Sequence, residues 1–122
     1  MVTKGFTLIE IMVVVLIMGL LAGLIGVNVV RYLDESRVKA AAAQIKSLEE
    51  ALELYRMETG AYPTTNEGLS VLVGKFLKAE KLPKDPWGLD YYYISDGKTF
   101  TLKSLGKDKI AGTEDDIDAA AQ

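Results

Sequence analysis

The stretch GFTLIEIMVVVLIMGLLAGLIGVNVV, residues 5–30, decides the fold. From Thr7 to its end this stretch holds one charged side chain, that of Glu10. As a helix, residues 7–30 would measure about 36 Å, which is enough to cross the hydrocarbon core of a bilayer. Lys4 precedes the apolar run, and a basic residue before a span favours a cytoplasmic N-terminus. We therefore predict a transmembrane helix over residues 6–30, with the rest of the chain beyond the membrane.

The helical pattern continues past the apolar stretch. Apolar residues recur at steps of three and four along one face, and charged residues fill the other faces. This stripe comprises Val38, Ala41 or Ala42, Ile45, Leu48, Leu52 and Tyr55. Gly60 then provides a typical helix stop. The pattern predicts one continuous helix from about Phe6 to Thr59, whose first half must lie in lipid or against other copies of the chain.

After this helix the sequence predicts a small α+β domain. A second short helix is indicated by apolar residues at helical spacing, namely Leu69, Leu72, Val73, Phe76 and Leu77. Residues 91–94 and 99–105 are typical of two strands, joined by a turn at residues 95–98. We expect residues 31–122 to form one globular domain, in which the second half of the long helix packs on a small antiparallel sheet.

Composition excludes several kinds of site. The chain has no cysteine and no histidine, which excludes disulfides, thiol nucleophiles and thiolate metal sites and removes the commonest acid–base group at neutral pH. The net charge of −3 argues against nucleic acid as the main partner, because phosphate binding needs a basic patch. The sequence shows no acid–base pair, nucleophile–base pair or phosphate loop. We predict no enzymatic activity and no small-molecule substrate.

Glu10 is the unusual residue of the apolar stretch. A carboxylate inside a membrane segment costs about 2.5–3.5 kcal/mol at mid-helix. One interpretation is an interfacial glutamate that tolerates its position near the end of the segment. The other is a charge retained for a partner, for which a free α-amine created by cleavage just upstream is an obvious candidate.

The sequence KGFTLIE at residues 4–10 resembles the processing motif of the type IV pilin and pseudopilin superfamily. The resemblance implies that a prepilin peptidase removes residues 1–5, cutting between Gly5 and Phe6, and then methylates the amine of Phe6. It also implies that Glu10 neutralises the N-terminal amine of a neighbouring subunit during filament assembly.

Three further stretches resemble the major pseudopilins of bacterial type II secretion systems, one branch of that superfamily. The first comprises Tyr55, GAYPTT at residues 60–65, EGL at 67–69 and Leu72. The second is PKDPWG at 83–88, followed by Tyr91, and the third is SLGKD at 104–108, followed by DDI at 115–117. The resemblance implies a pilin-like fold and a structural subunit in the inner membrane, with its C-terminal domain in the periplasm. It implies a homopolymer, a pseudopilus that drives protein export through the outer membrane. The other implied partners are the prepilin peptidase, minor pseudopilins and an inner-membrane assembly platform.

The C-terminal loop is acidic and contains glycines, and calcium prefers six to eight oxygen ligands from such loops. Spacing alone fits a solvated acidic tail equally well. The resemblance to major pseudopilins implies a calcium site that stabilises this loop. The implied ligands are the carboxylates of Asp108, Asp115 and Asp116, and the backbone carbonyls of Leu105 and Thr113. Glu114 and Asp118 are alternative ligands.

Two features depart from the family pattern. Val27 stands where the family commonly has a proline that interrupts the helix in filaments, so the sequence leaves helix melting there open. The loop before Asp85 is also short. The alternative functions are a type IV pilin for adhesion, motility or DNA uptake, and a single-pass membrane protein with a ligand-binding outer domain. The acidic tail and the absence of cysteine argue against the first alternative.

Overall fold

The computed structural model describes residues 5–119. Within the chain, backbone contacts separate two units, Met1–Glu35 and Ser36–Gln122. The first four residues of the predicted leader, Lys4 among them, and the last three residues of the predicted C-terminal domain lie outside the described residues.

A single α-helix, α1, extends over Leu8–Thr59. The hydroxyl oxygen of Thr7 accepts a 3.2 Å hydrogen bond from the backbone N–H of Glu10, which satisfies one of the free donors of the first turn. The helix ends at Gly60, whose φ of +94° is accessible to glycine at little cost. The predicted long helix is therefore confirmed, with its start two residues after Phe6. It remains helical through Val27.

The apolar side chains of the first unit are exposed. Every residue from 5 to 33 is exposed, and this part of α1 is long and apolar enough to cross a membrane. Continuous apolar surface of this extent is characteristic of segments that meet lipid or another protein surface. The segment therefore depends on surroundings that a single copy of the chain does not supply.

The second unit has a core built on the predicted stripe of α1. The buried helix residues are Ala41, Ala42, Ile45, Leu48, Ala51 and Leu52. They form one cluster with side chains from the rest of the unit, namely Tyr62, Leu69, Leu72, Tyr91, Leu102 and Ile117. Val38 and Tyr55 are partly buried at its margin. The helical spacing thus predicted the buried face of α1 correctly.

The sheet is a two-stranded antiparallel hairpin. Strand β1 is Tyr92–Ser95 and strand β2 is Phe100–Lys103, with Tyr92 opposite Lys103 in the register. In the connecting turn, Asp96 Oδ1 accepts hydrogen bonds from the backbone N–H groups of the second and third residues that follow it. Beyond β2, one isolated antiparallel bridge joins Ser104 to Ile117. The two predicted strands are confirmed, although the structured part of the second is shorter.

The predicted second helix is wrong beyond Leu72. Only a 3-10 helix forms, Leu69–Leu72, and Val73 after it is extended, with φ −64° and ψ 131°. Gly74 then adopts a φ of +95°, which lies outside helical geometry, and its N–H donates a 3.0 Å hydrogen bond to the Leu77 carbonyl. The apolar residues at helical spacing therefore reach the core from a turn, where Phe76 and Leu77 are partly buried.

Leu52 and Leu54 provide a matched test of the core, because they are the same residue on the same helix with opposite environments. Leu52 is 0% exposed and Leu54 is 52% exposed. We expect Leu52→Ala to lower the free energy of unfolding by about 2–5 kcal/mol through lost burial and a residual cavity. Leu54→Ala should change it by no more than about 0.5 kcal/mol. Chemical denaturation of the full chain in detergent measures both, and equal effects would contradict the core described above.

Candidate functional site

The predicted processing residues lie just before α1. Gly5 and Phe6 precede the helix, and the Phe6 side chain is 82% exposed. A Cβ atom built on Gly5 would meet no atom within 4 Å, and the φ of Gly5 is not in the left-handed region. The fold itself therefore places no demand for glycine at residue 5. A requirement for glycine there would have to come from a partner that binds this segment.

Glu10 lies in the first turn of α1, where a negative charge interacts favourably with the helix dipole. Its side chain is exposed. Within residues 5–119, no basic side chain lies within salt-bridge distance of its carboxylate. The carboxylate is thus available to a positive group from outside the described chain.

At the other end of the chain, Asp116 is the predicted ligand that the fold holds most firmly. Its Oδ2 accepts hydrogen bonds from the Lys103 ammonium at 2.7 Å and from the Gly112 backbone N–H at 2.8 Å. These two donors, the ammonium first, lower the pKa of Asp116. Its Oδ1 is buried and has no hydrogen-bond partner among the residues that the structure describes. A buried carboxylate oxygen without a partner is unusual, and a cation is the kind of group that can satisfy it.

The other predicted ligands precede Asp116 in the sequence and are held less firmly. Asp108 and Asp115 are exposed, and Asp108 Oδ1 accepts a 3.0 Å hydrogen bond from the Ile110 N–H. The Thr113 carbonyl accepts one from the Asp116 N–H at 3.3 Å. Leu105 is half-buried at the start of the loop.

Gly106 closes the base of this loop. Its φ is +74°, and a Cβ atom there would collide with the backbone carbonyl of Asp115. The two ends of the loop are therefore in direct backbone contact. Even so, across residues 5–119 no group of three or more acidic side chains lies close enough together to hold a metal ion. The structure brings the ends of the loop together but leaves the three carboxylates apart.

The donor set nevertheless fits calcium in kind. The loop offers only oxygen ligands, from carboxylates and backbone carbonyls, which calcium prefers. The unpartnered Asp116 Oδ1 provides an oxygen that is already removed from water. Ligation by Asp108 and Asp115 requires their exposed side chains to turn inward.

Asp85 is an important residue to which the sequence reasoning assigned no role. It is buried, and its Oδ1 accepts hydrogen bonds from the N–H groups of Trp87 at 3.1 Å and Leu89 at 2.7 Å. Its Oδ2 accepts a hydrogen bond from the Ser104 hydroxyl at 2.9 Å. Burial, and then the charge of Asp85, raise the pKa of Tyr91 to about 12.

Ser104 continues this connection to the C-terminal loop. Its side chain is fully buried, and its Oγ accepts a 3.2 Å hydrogen bond from the Gly106 N–H. Its backbone exchanges two 2.8 Å hydrogen bonds with Ile117. Asp85 thus ties the loop of residues 83–89 to the base of the acidic loop. Asp85 lies between Pro83 and Pro86, with Gly88 three residues later, and this pattern is typical of a turn. Nothing in the local sequence indicates that Asp85 pairs with Ser104, 19 residues away.

Comparison with known proteins gives consistent matches over most of the chain. A family model described as type II secretion system (T2SS), protein G matches residues 28–120. A second model, described as the prokaryotic N-terminal methylation motif, matches residues 1–26.

Individual relatives and a solved structure agree with the family models. The chain is 43% identical to the type II secretion system core protein G of Pseudomonas aeruginosa, over 94% of this chain and 92% of that protein. It is 41% identical to the protein of the same name from Pectobacterium carotovorum, over 93% of this chain and 82% of that protein. The crystal structure of the major pseudopilin from the type 2 secretion system of enterohaemorrhagic Escherichia coli superposes with a TM-score of 0.61 and 32% identity. The matched region covers 69% of this chain and 82% of the chain in that structure.

Asp85 and Asp90 give a matched pair for the buried carboxylate. Asp85→Ala leaves two backbone N–H groups and the Ser104 hydroxyl without their acceptor, whereas Asp90 is exposed. We expect Asp85→Ala to lower the free energy of unfolding by about 3–5 kcal/mol and Asp90→Ala by no more than about 0.5 kcal/mol. Thermal and chemical denaturation of the full chain measure both. Similar stabilities for the two variants would show that Asp85 does not hold the loops together.

Proposed function

Because the chain belongs to the type II secretion system protein G family, we propose that it is a structural subunit that polymerises through α1 into a pseudopilus. The observation that carries this proposal is the uncovered apolar surface of residues 5–33. Before assembly, lipid covers this surface, and in the filament the same segments of other copies cover it. The family model that matches describes type II secretion, so no observation favours a type IV pilin for adhesion or DNA uptake.

We propose that processing prepares the chain for this assembly. A prepilin peptidase cuts between Gly5 and Phe6, and the new amine of Phe6 is methylated. The match of residues 1–26 to the methylation motif supports this step, as does a Gly5 that the fold does not require. The exposed carboxylate of Glu10, which meets no basic side chain of residues 5–119, then binds the N-terminal amine of a neighbouring subunit. An ion pair away from water costs less free energy than the same two charges left unpaired there.

The proposed location follows from the same segment. The apolar part of α1 anchors the chain in the bacterial inner membrane, and Ser36–Gln122 lies in the periplasm. Minor pseudopilins and an inner-membrane platform would act with it in extending a filament that moves proteins through the outer membrane. We propose no catalytic activity. The match to a secretion-system family supports this proposal.

We further propose that calcium binds the C-terminal loop. The carboxylates of Asp108, Asp115 and Asp116 and the carbonyls of Leu105 and Thr113 would hold the ion. The buried, unpartnered Asp116 Oδ1 supports this assignment. Bound calcium would offset part of the negative charge of the loop and gather its exposed carboxylates, so that binding free energy becomes folding free energy for a segment with little core.

Mass spectrometry of the chain purified from a host that contains a prepilin peptidase tests the processing step. We expect the native chain to begin at N-methylated Phe6. Gly5→Ala should retain residues 1–5, because the peptidase rather than the fold requires glycine there. Gly19→Ala is the matched control, since a Cβ at Gly19 also meets no atom within 4 Å, and it should be processed normally. An intact N-terminus in the native chain, or a cut after the apolar run, would contradict the proposal.

Removal of calcium tests the loop. We expect a chelator to lower the melting temperature of the full chain in detergent, and added calcium to restore it where magnesium does not, because magnesium demands stricter geometry and keeps its water. Asp108→Ala should lose most of this response, and Asp90→Ala should keep it. If the chelator leaves the melting temperature of the native chain unchanged, the loop does not use calcium.

A further inference from the structure

Lys103 occupies an unusual position for a lysine. It is the last residue of β2, and its side chain is only 23% exposed. The ammonium lies 5.1 Å from the centre of the Tyr92 ring, the residue opposite it in the hairpin. A cation over an aromatic face is stabilised by the ring quadrupole. The hairpin therefore holds the ammonium in place from one side.

On its other side the ammonium meets the acidic loop. Lys103 Nζ lies 2.7 Å from Asp116 Oδ2, and the Asp116 side chain is 14% exposed. The Gly112 N–H shares the same oxygen, while Oδ1 remains buried and unpartnered. The ion pair is thus largely removed from water. A charge interaction in such surroundings is stronger than one at an open surface.

The surrounding charges make this pair important. Between residues 108 and 118 the chain carries five acidic side chains and one basic side chain, that of Lys109. An Asp116 without Lys103 would place a mostly buried negative charge among other carboxylates. Either a metal ion or a fixed ammonium can offset that charge.

We propose that Lys103 is an internal counter-ion of the C-terminal loop that holds Asp116 in the calcium-free chain and weakens calcium binding at the same carboxylate. This inference rests on the calcium site of the proposed function. Without calcium, the ammonium neutralises Asp116 and keeps the loop against the hairpin. Bound calcium would be repelled by the positive charge of Lys103, which the Tyr92 ring holds in place. The loop of this chain then depends less on calcium than it would with a neutral residue at position 103.

Lys103→Met tests the proposal, because methionine keeps much of the apolar stem and removes the charge. Lys98→Met, in the turn at the other end of β2, is the control for the change in net charge. Lys103→Arg retains the charge. For each full chain in detergent, calorimetry gives the calcium Kd, and thermal denaturation gives the Tm in chelator and in saturating calcium.

We expect Lys103→Met to have a lower Tm in chelator than the native chain and a larger rise in Tm with calcium. Its calcium Kd should tighten by at least about tenfold, because a single and a double charge a few ångströms apart repel that strongly even in water, and more strongly where water is excluded. Lys103→Arg and Lys98→Met should bind calcium as the native chain does.

A calcium Kd that is unchanged or weaker in Lys103→Met overturns the inference while leaving the calcium site in place. A weaker Kd would instead show that the ammonium orients Asp116 for the metal. If neither the native chain nor Lys103→Met binds calcium, the calcium site and this inference are both wrong. The two failures are therefore distinguishable.

Discussion

The apolar surface of residues 5–33 is the constraint on which the rest of the structure depends. No residue in that range is buried, and the only acidic side chain in it is that of Glu10. A bilayer can cover such a helix, and so can a bundle of identical helices, but the short domain that follows cannot cover it and also enclose its own core. The chain is therefore suited to two environments, a membrane before assembly and a filament after it. A single carboxylate near the start of the helix suits both, since it lies close to the interface in the first and can pair with an amine in the second.

The second unit has to remain folded with few means of support. It has one helix face, a two-stranded hairpin and no disulfide, and small domains of this kind need additional support. Much of that support is polar in this chain. Asp85 connects the loop of residues 83–89 to Ser104, and Ser104 connects the hairpin to Ile117. Lys103 and Asp116 then hold the acidic loop against the hairpin. Buried polar connections specify one loop arrangement, because breaking any of them leaves an unsatisfied group.

What the sequence predicted well is what depends on local pattern. The helical stripe from Ala41 to Leu52 predicted the buried face of α1, and the turn residues at 95–98 located the hairpin. The helix predicted from Leu69 to Leu77 failed because Gly74 takes a positive φ, which apolar spacing does not reveal. The roles of Asp85 and Lys103 depend on partners 19 and 13 residues away. Nothing in the local sequence marks those contacts, so only the folded chain shows them. The N-terminal motif was recognisable because it is a short linear sequence, and the match of residues 1–26 to a family model does not depend on any fold.

The most direct test of the central claim is electron microscopy of filaments formed by the full chain, produced together with a type II secretion assembly machinery. The native chain should form filaments. Glu10→Ala should be processed at Gly5 and inserted in the membrane, yet form few filaments, because the neighbouring amine has lost its partner. Glu80→Ala, which removes an exposed carboxylate from the second unit, should assemble normally. Filaments as abundant with Glu10→Ala as with the native chain would contradict the role of Glu10, and no filaments from the native chain would contradict polymerisation itself.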